Sequence, residues 1–266
     1  MSESDKINRD VLGLKQECLY GPVKSRRLKS SLGINVLPAD GKLCSFSCIY
    51  CQYGLTQKSY HVAEASGITA LPSFDQVEAE LATYLKQAPR GIGYITFSGN
   101  GEATLHPEFP ELVDMVIRLR DRYYPPAKTA LLSNSTRMTD RKIRDAVAKL
   151  DTPIMKLDAC SKEVFDRINR PAPGIEFDGV VQSLIDFEHP DLIIQALLMG
   201  GDRFNATDDE IESWAGLIKQ IDPREVHIYS LDRPSAIKSV LKLNRQTLES
   251  IADRASEISG VEVLAF

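Results

Sequence analysis

Beyond the first twenty or so residues, short apolar runs alternate with stretches whose apolar positions recur at helical spacing. Six runs read as strands: 31–37, 94–98, 128–133, 153–158, 191–198 and 225–230. The run from Leu192 to Leu198, interrupted only by Gln195, has the near-continuous hydrophobicity of a parallel strand covered on both faces. Helix starts are legible between the strands. Ser73 and Gln76 form a capping-box pattern ahead of Phe74, Val77, Leu81, Tyr84 and Leu85 on one face. Thr207 and Glu210 repeat it before Ile211, Trp214, Ala215, Ile218 and Ile221, with Asp208 and Asp209 suited to the positive end of the helix dipole. Phe109, Leu112, Val113, Val116 and Ile117 mark a helix between the second and third strands.

Six βα units in 266 residues favour an α/β fold built as a partial parallel barrel, with an open doubly wound sheet as the competitor. No repeat, low-complexity tract or linker interrupts the pattern. The expectation is an N-terminal tail over 1–20 and a single domain over 21–266 whose last part is a C-terminal extension.

Composition narrows the class. Hydrophobic residues make up 43% and charged residues 26%, which excludes a mostly disordered chain. The net charge of −5 does not advertise a nucleic-acid binder, although Lys24, Arg26, Arg27 and Lys29 form a local basic run. No apolar run approaches the roughly 18–20 residues of a membrane span, and Met1 to Asp10 lacks the pattern of a signal peptide. The expected location is the cytoplasm, with no membrane partner. In that reducing compartment, clustered thiols are more often metal ligands than disulfides.

Three of the five cysteines, Cys44, Cys48 and Cys51, lie within eight residues in a C-x3-C-x2-C spacing after the first strand. Parallel folds place their sites in such loops. Three soft ligands there suit iron–sulfur or zinc. A closed zinc site requires a fourth ligand, and His61, ten residues on, matches no familiar zinc spacing. Three thiolates on a four-iron cluster instead leave one iron open.

The segment Cys44-Ser45-Phe46-Ser47-Cys48-Ile49-Tyr50-Cys51 resembles the signature of the radical S-adenosylmethionine (SAM) superfamily. The resemblance implies a 4Fe-4S cluster on Cys44, Cys48 and Cys51, with SAM chelated to the open iron. Reductive cleavage of SAM then gives a 5′-deoxyadenosyl radical that takes a hydrogen atom from substrate. It implies the partial (β/α)6 barrel of that superfamily. Ser98-Gly99-Asn100-Gly101-Glu102 resembles the family's Gly-Gly-Glu segment, which holds the SAM amine; on its own this turn would read as a tight turn. Ser133 and Asn134 end the third strand, where the family commonly contacts the SAM ribose or carboxylate. The backbone at Tyr50 and the strand end at Tyr229 would flank adenine.

A narrower likeness runs through Gly21 to Leu28, Ser31 to Asn35, the Cys-Ile-Tyr-Cys-Gln-Tyr-Gly run, Ser98 to Pro107, Leu157-Asp158-Ala159 and Asn169-Arg170-Pro171. Together these segments resemble the tRNA wybutosine-synthesis (4-demethylwyosine synthase-like) enzymes over about residues 20–235. A tRNA base is the substrate this implies, with activation of another protein or modification of a peptide or small metabolite as alternatives. A non-catalytic iron–sulfur carrier or zinc protein is the alternative from another class. Ala103 replaces the expected proline after Gly-Glu, and Cys18 and Cys160 are too few to build an ordinary second cluster. No flavodoxin-like domain is present, so an external donor such as flavodoxin or ferredoxin is expected.

The remaining candidates carry plainer readings beside sharper ones. Lys156 and Asp158 face one side by strand alternation and are a catalytic pair or a salt bridge lining the interior. Cys160 is a hydrogen-atom donor or radical relay, or a buried inert thiol. Gln195 faces the lumen or satisfies local backbone. The basic run meets RNA phosphates, meets a carboxylate at the barrel mouth, or is solvated. His106 reads as a loop-capping residue and Trp214 as core.

Overall fold

The expected alternation is realised, and the first departure from it comes ahead of the first expected strand. The computed structural model describes residues 7–56, 71–87, 91–200 and 205–266. Contacts group the described residues into two units that interleave along the chain, 14–45 with 71–154, and 7–13 with 46–56 and 155–266. Neither unit is a contiguous segment, and no linker separates them.

In the first unit β1 (Leu19–Ser25) runs antiparallel to β2 (Lys29–Ile34). Then follow α1 (Phe74–Lys86), β3 (Tyr94–Phe97), α2 (Phe109–Tyr123), β4 (Lys128–Ser133) and α3 (Arg141–Val147). β2, β3 and β4 are parallel neighbours, with Ile34 opposite Phe97 and Phe97 opposite Leu131. Paired residues on parallel strands share a face, so Leu32, Ile34, Ile95, Phe97 and Leu131 form one side and Gly33, Thr96 and Ala130 the other. The first side is the core: Phe97 meets Phe109 of α2 edge-on at 5.4 Å. Val77, Leu81 and Leu85 of α1 and Leu112, Val113 and Val116 of α2 are buried with it. The second side carries small residues, and a Cβ at Gly33 would stand 2.1 Å from the Tyr20 ring. Glycine is what lets that ring lie against the sheet.

The chain passes through β5 (Thr152–Lys156) and enters the second unit, with α4 (Lys162–Ile168), α5 (Phe177–Ile185), β6 (Ile193–Leu197) and β7 (Met199–Gly200). It continues through α6 (Asp208–Ile221), β8 (Glu225–Tyr229), β9 (Leu241–Lys242), α7 (Arg245–Ser259) and β10 (Val263–Ala265). β6, β8 and β10 are parallel in that order, and β7 pairs antiparallel with β9. Trp214 on α6 is buried and donates its indole N–H to the Leu157 carbonyl at 2.9 Å, a core residue with its polar handle satisfied.

Several boundaries differ from the sequence pattern. The first expected parallel strand ends at Ile34, because Asn35 turns out of the ladder and uses its side chain on Asn100 N and Leu37 O. β1 contains Gly21 and Pro22 and is largely exposed, so it shows no core-facing alternation. β10 is three residues long, too short for a periodic signal. The expected tail is held in place over its described part. Ile7 bridges Ile237, Asn8 N donates to Ala236 O at 2.8 Å, and Leu12 N donates to Gln52 O at 2.8 Å. Among the described residues, no helix is long and apolar enough to cross a membrane.

Both capping sites hold half of the expected box. Ser73 Oγ accepts from Gln76 N at 3.2 Å, and Thr207 Oγ1 accepts from Glu210 N at 3.4 Å. The reciprocal side chains point elsewhere, Gln76 to Glu80 and Glu210 to Arg167. Thr207→Ala therefore loses one N-cap bond and is expected to cost about 1 kcal/mol. Urea unfolding will show this as a lower midpoint at an unchanged slope.

Candidate active site

In the first unit the cysteine loop begins against the Ser98–Glu102 turn. Leu43 bridges Gly101, with Leu43 N donating to Asn100 O at 3.1 Å and Glu102 N donating to Leu43 O at 2.9 Å. A Cβ on Gly101 would stand 1.7 Å from the Leu43 carbonyl oxygen, and φ there is +146°. Only glycine permits this approach. It brings the Cys44 strand end beside Glu102.

Glu102 is buried, and its carboxylate is fully engaged by the protein. Oε1 accepts from Thr104 N at 3.2 Å, Thr104 Oγ1 at 2.7 Å and Ser133 Oγ at 3.0 Å, and Oε2 accepts from Asn134 N at 2.6 Å. Burial still raises its pKa above the ordinary carboxylate value, against the pull of these bonds. The bonds tie the second strand end to the third and set the Asn134 side chain. Asn134 Oδ1 accepts from Thr136 N at 3.1 Å and Thr136 Oγ1 at 2.9 Å, so the amide nitrogen is the end that faces Ser45 Oγ at 2.8 Å and Cys44 Sγ at 3.6 Å. That length suits the larger sulfur atom.

Two side chains of the turn are spent on the protein rather than turned to a ligand. Asn100, expected at SAM, donates to Lys15 O and Pro38 O, each at 2.8 Å, and accepts from Lys15 N at 2.7 Å. Ser98 lies 2.5 Å from the Tyr20 hydroxyl. Gly99 packs on Asn35, whose Oδ1 would stand 2.3 Å from an added Cβ. For Asn100 the physical reason is burial: a buried polar side chain must be bonded where it lies.

The second unit holds the rest of the loop. Ser47 N donates to Asn169 O at 2.9 Å and Ile49 N to Ile168 O at 3.0 Å, which fixes the loop against the end of α4. Cys48 is buried and its Sγ accepts from Asn169 Nδ2 at 3.6 Å. The same nitrogen donates to Asp158 Oδ2 at 2.8 Å and lies 3.2 Å from the Tyr50 hydroxyl. Tyr50 in turn donates to Asp158. Asp158 Oδ1 accepts from Leu197 N at 2.8 Å and from Lys156 Nζ at 3.1 Å. Cys51 is half-buried, with its N–H on Cys48 O at 3.2 Å.

Lys156 and Asp158 thus do face one side, and their salt bridge is inward: the side chains are 14% and 0% exposed. Lys156 Nζ also lies 3.2 Å from the Tyr229 hydroxyl and over the rings of Tyr50 and Tyr229, at 5.2 and 5.5 Å. Burial opposes its charge, but Asp158, Tyr229 and Cys48 together outweigh burial and raise the lysine pKa. Burial, followed by the charges of Asp158 and Cys48, raises Tyr50 well above the ordinary phenol. Gln195, left open by sequence, accepts from the Tyr229 hydroxyl at 3.5 Å and joins this cluster.

Cys160 does not join it. Its thiol feels Glu210 and Arg167, on α6 and α4, and burial with the Glu210 charge raises its pKa. Cys160 is half-buried, whereas Cys18 is a buried thiol, pushed up to about 12 by burial and Glu80. His106 caps its loop as expected, with Nε2 at 3.1 Å from Pro72 O and Nδ1 accepting from Glu108 N at 3.2 Å. His61 lies outside the described residues. Within the Asn-Arg-Pro segment, Asn169 has no role that its local sequence discloses. A short-range signal for its contact with Cys48 does not exist, because the two are far apart along the chain.

Among the described residues, no three His, Cys, Asp or Glu side chains converge as ligands of a single metal ion. A four-iron cluster takes one thiolate per iron. Cys44 and Cys48 are buried thiols, each faced by an amide N–H, and such surroundings suit a soft anionic group.

The description "Radical SAM superfamily" matches residues 40–185, more than half of the sequence, and the chain belongs to that superfamily. A UPF0026 protein of Methanocaldococcus jannaschii is 28% identical over 244 residues, which cover 91% of this chain and 72% of that protein. A protein of Brachyspira hyodysenteriae named GTPase Obg is 29% identical over 248 residues, 91% of this chain but 34% of that one. The chain therefore spans about a third of the latter's length. SuiB of Streptococcus suis bound to S-adenosylmethionine has the same fold, with a TM-score of 0.61 at 14% identity over 88% of this chain and 50% of that one. So does TYW1 with a lysine–pyruvate adduct bound, with a TM-score of 0.58 at 15% identity over 86% of this chain and 74% of that one. The fold is the mostly parallel α/β partial barrel that the sequence pattern leads one to expect.

Gly101→Ala places a methyl carbon inside the Leu43 carbonyl and is expected to lower the melting temperature by several degrees, with loss of whatever the cysteine loop binds. Gly41→Ala, where an added Cβ meets nothing within 4 Å, is the control and should melt close to the parent. Differential scanning calorimetry of the two variants makes the comparison.

Proposed function

We propose that this chain is a radical SAM enzyme that holds a 4Fe-4S cluster through Cys44, Cys48 and Cys51 and uses it on SAM to abstract a hydrogen atom from a tRNA base. The observation that carries the reading is the environment of the cysteine loop, where Cys44 and Cys48 are buried and each receives a side-chain amide. Bound there, cluster and SAM supply reductive cleavage of SAM to methionine and a 5′-deoxyadenosyl radical. The chain's own work is to bind, orient and exclude water.

Glu102 braces the strand ends that carry Ser133 and Asn134, and the backbone at Gly99 and Gly101 is what that turn presents to the SAM amine. Lys156, held between two tyrosine rings, is a fixed cation for an anionic group of cofactor or substrate. Its raised pKa argues against a nucleophilic amine. An external one-electron donor such as flavodoxin or ferredoxin supplies the reductant.

The tRNA reading is supported by the turn joining β1 and β2. Lys24, Arg26 and Lys29 are exposed there, with no acidic residue between Glu17 and Asp40. Ser25 Oγ accepts from Arg27 N at 3.3 Å and Leu28 N at 3.0 Å, which preforms the turn. Phosphate contacts from this turn predict tRNA affinity that falls steeply with salt, and a shallower salt slope in Lys24→Glu/Arg26→Glu. Filter binding across a salt series measures both, and no retention of tRNA at low salt rejects this substrate in favour of a peptide, protein or small metabolite.

The enzyme reading is tested anaerobically. After reconstitution with iron and sulfide and reduction with dithionite, added SAM should yield 5′-deoxyadenosine and methionine, and Cys48→Ala should yield neither. A fully loaded, reducible cluster whose spectrum ignores SAM and which cleaves none would instead identify an electron carrier.

A further inference from the structure

Two side-chain amides, in different parts of the chain, end on cysteine sulfurs. Asn134 Nδ2 lies 3.6 Å from Cys44 Sγ, and Asn169 Nδ2 lies 3.6 Å from Cys48 Sγ. In both cases the orientation of the amide is set by groups other than the sulfur. The oxygen of Asn134 is taken by Thr136, so its nitrogen must face the other way. The nitrogen of Asn169 is drawn by the carboxylate of Asp158 at 2.8 Å. A flipped amide would set its oxygen against that carboxylate, so an N–H is what the thiol meets.

Asp158 has its own orientation fixed. Leu197 N and Lys156 Nζ hold Oδ1, while the Tyr50 hydroxyl and Asn169 share Oδ2. The Asn169 amide is therefore braced by a carboxylate with no exposed surface. A donor held this firmly costs little to keep aimed at a sulfur.

We infer that Asn134 and Asn169 are positioning residues that set the reduction potential of the cluster on Cys44 and Cys48. This rests on the cluster reading of the preceding section. The step concerned is the one-electron reduction of the cluster, with the electron coming from a low-potential donor protein or, in the laboratory, from dithionite. No proton or bond is transferred. The added electron increases negative charge on the cluster sulfurs and the ligating thiolates. An N–H aimed at a thiolate stabilises the more negative state more strongly, so it raises the potential and eases reduction. Without these donors the same cluster would demand a stronger reductant.

The test is a dye-mediated redox titration, followed by electron paramagnetic resonance, of reconstituted parent, Asn169→Leu and Asn134→Leu. The expected result is iron and sulfide content equal to the parent with a midpoint shifted negative. A tenfold fall in the equilibrium constant for reduction corresponds to about 59 mV for one electron. Equal loading with an unmoved midpoint in both variants would overturn the inference. If a variant does not load, the parent protein carrying asparagine labelled with ¹⁵N in the side-chain amide decides the matter. Pulsed electron paramagnetic resonance of its reduced cluster should show a ¹⁵N coupling, and its absence overturns the inference. A parent protein that takes up no cluster would defeat the cluster reading itself, a result distinct from either of these.

Discussion

A carboxylate with no exposed surface is costly to bury, and the second unit of this protein is arranged around one. Asp158 is compensated by a backbone N–H, an ammonium, a phenol and an amide, each from a different stretch of chain. Removing any of them leaves a poorly compensated charge in the interior, so the four stretches are obliged to meet. They are the β6 end, the β5 end, the cysteine loop and the end of α4. The first unit repeats the device with different residues. Glu102 collects Thr104, Ser133 and the backbone of Asn134. In each unit the carboxylate is bonded to an asparagine whose side-chain nitrogen reaches a cysteine sulfur.

This construction separates two tasks that the sequence motif runs together. The cysteines are potential ligands, but the acidic residues that accompany them work largely on the protein. Glu102 positions strand ends, and Asp158 positions an amide and a phenol. Neither is exposed in the way a general acid or base in contact with solvent would be. Lys156 is itself largely buried, its ammonium held against the rings of Tyr50 and Tyr229.

Much of the fold was legible because parallel strands and amphipathic helices impose strong periodicities. The runs at 94–98, 128–133 and 225–230 coincide closely with β3, β4 and β8, and Ser73 and Thr207 cap α1 and α6. The elements that escaped have physical reasons to be silent. β1 is an exposed edge strand without a buried stripe, and β10 is shorter than one period of evidence. At the site, the cysteine spacing is local and was readable, whereas the bonds of Asn100 to Lys15 and of Asn169 to Cys48 join residues distant in the chain. Polar side chains in a motif can serve either ligand or loop, and composition does not distinguish the two. Cys160 follows Asp158 closely in sequence, yet the charged groups acting on its thiol are Glu210 and Arg167 of other elements.

The segment before β1 has a practical side. Asn100 grips Lys15 through both backbone groups, and Leu12 is bonded to Gln52, the residue following Cys51. A shortened version of the protein, started near residue 20 on the strength of its hydrophobic pattern, would strip the glycine turn and the cysteine loop of these neighbours. What looks dispensable at the bench supplies each of these two elements with a bonded neighbour. Any handle for purification is better fastened elsewhere.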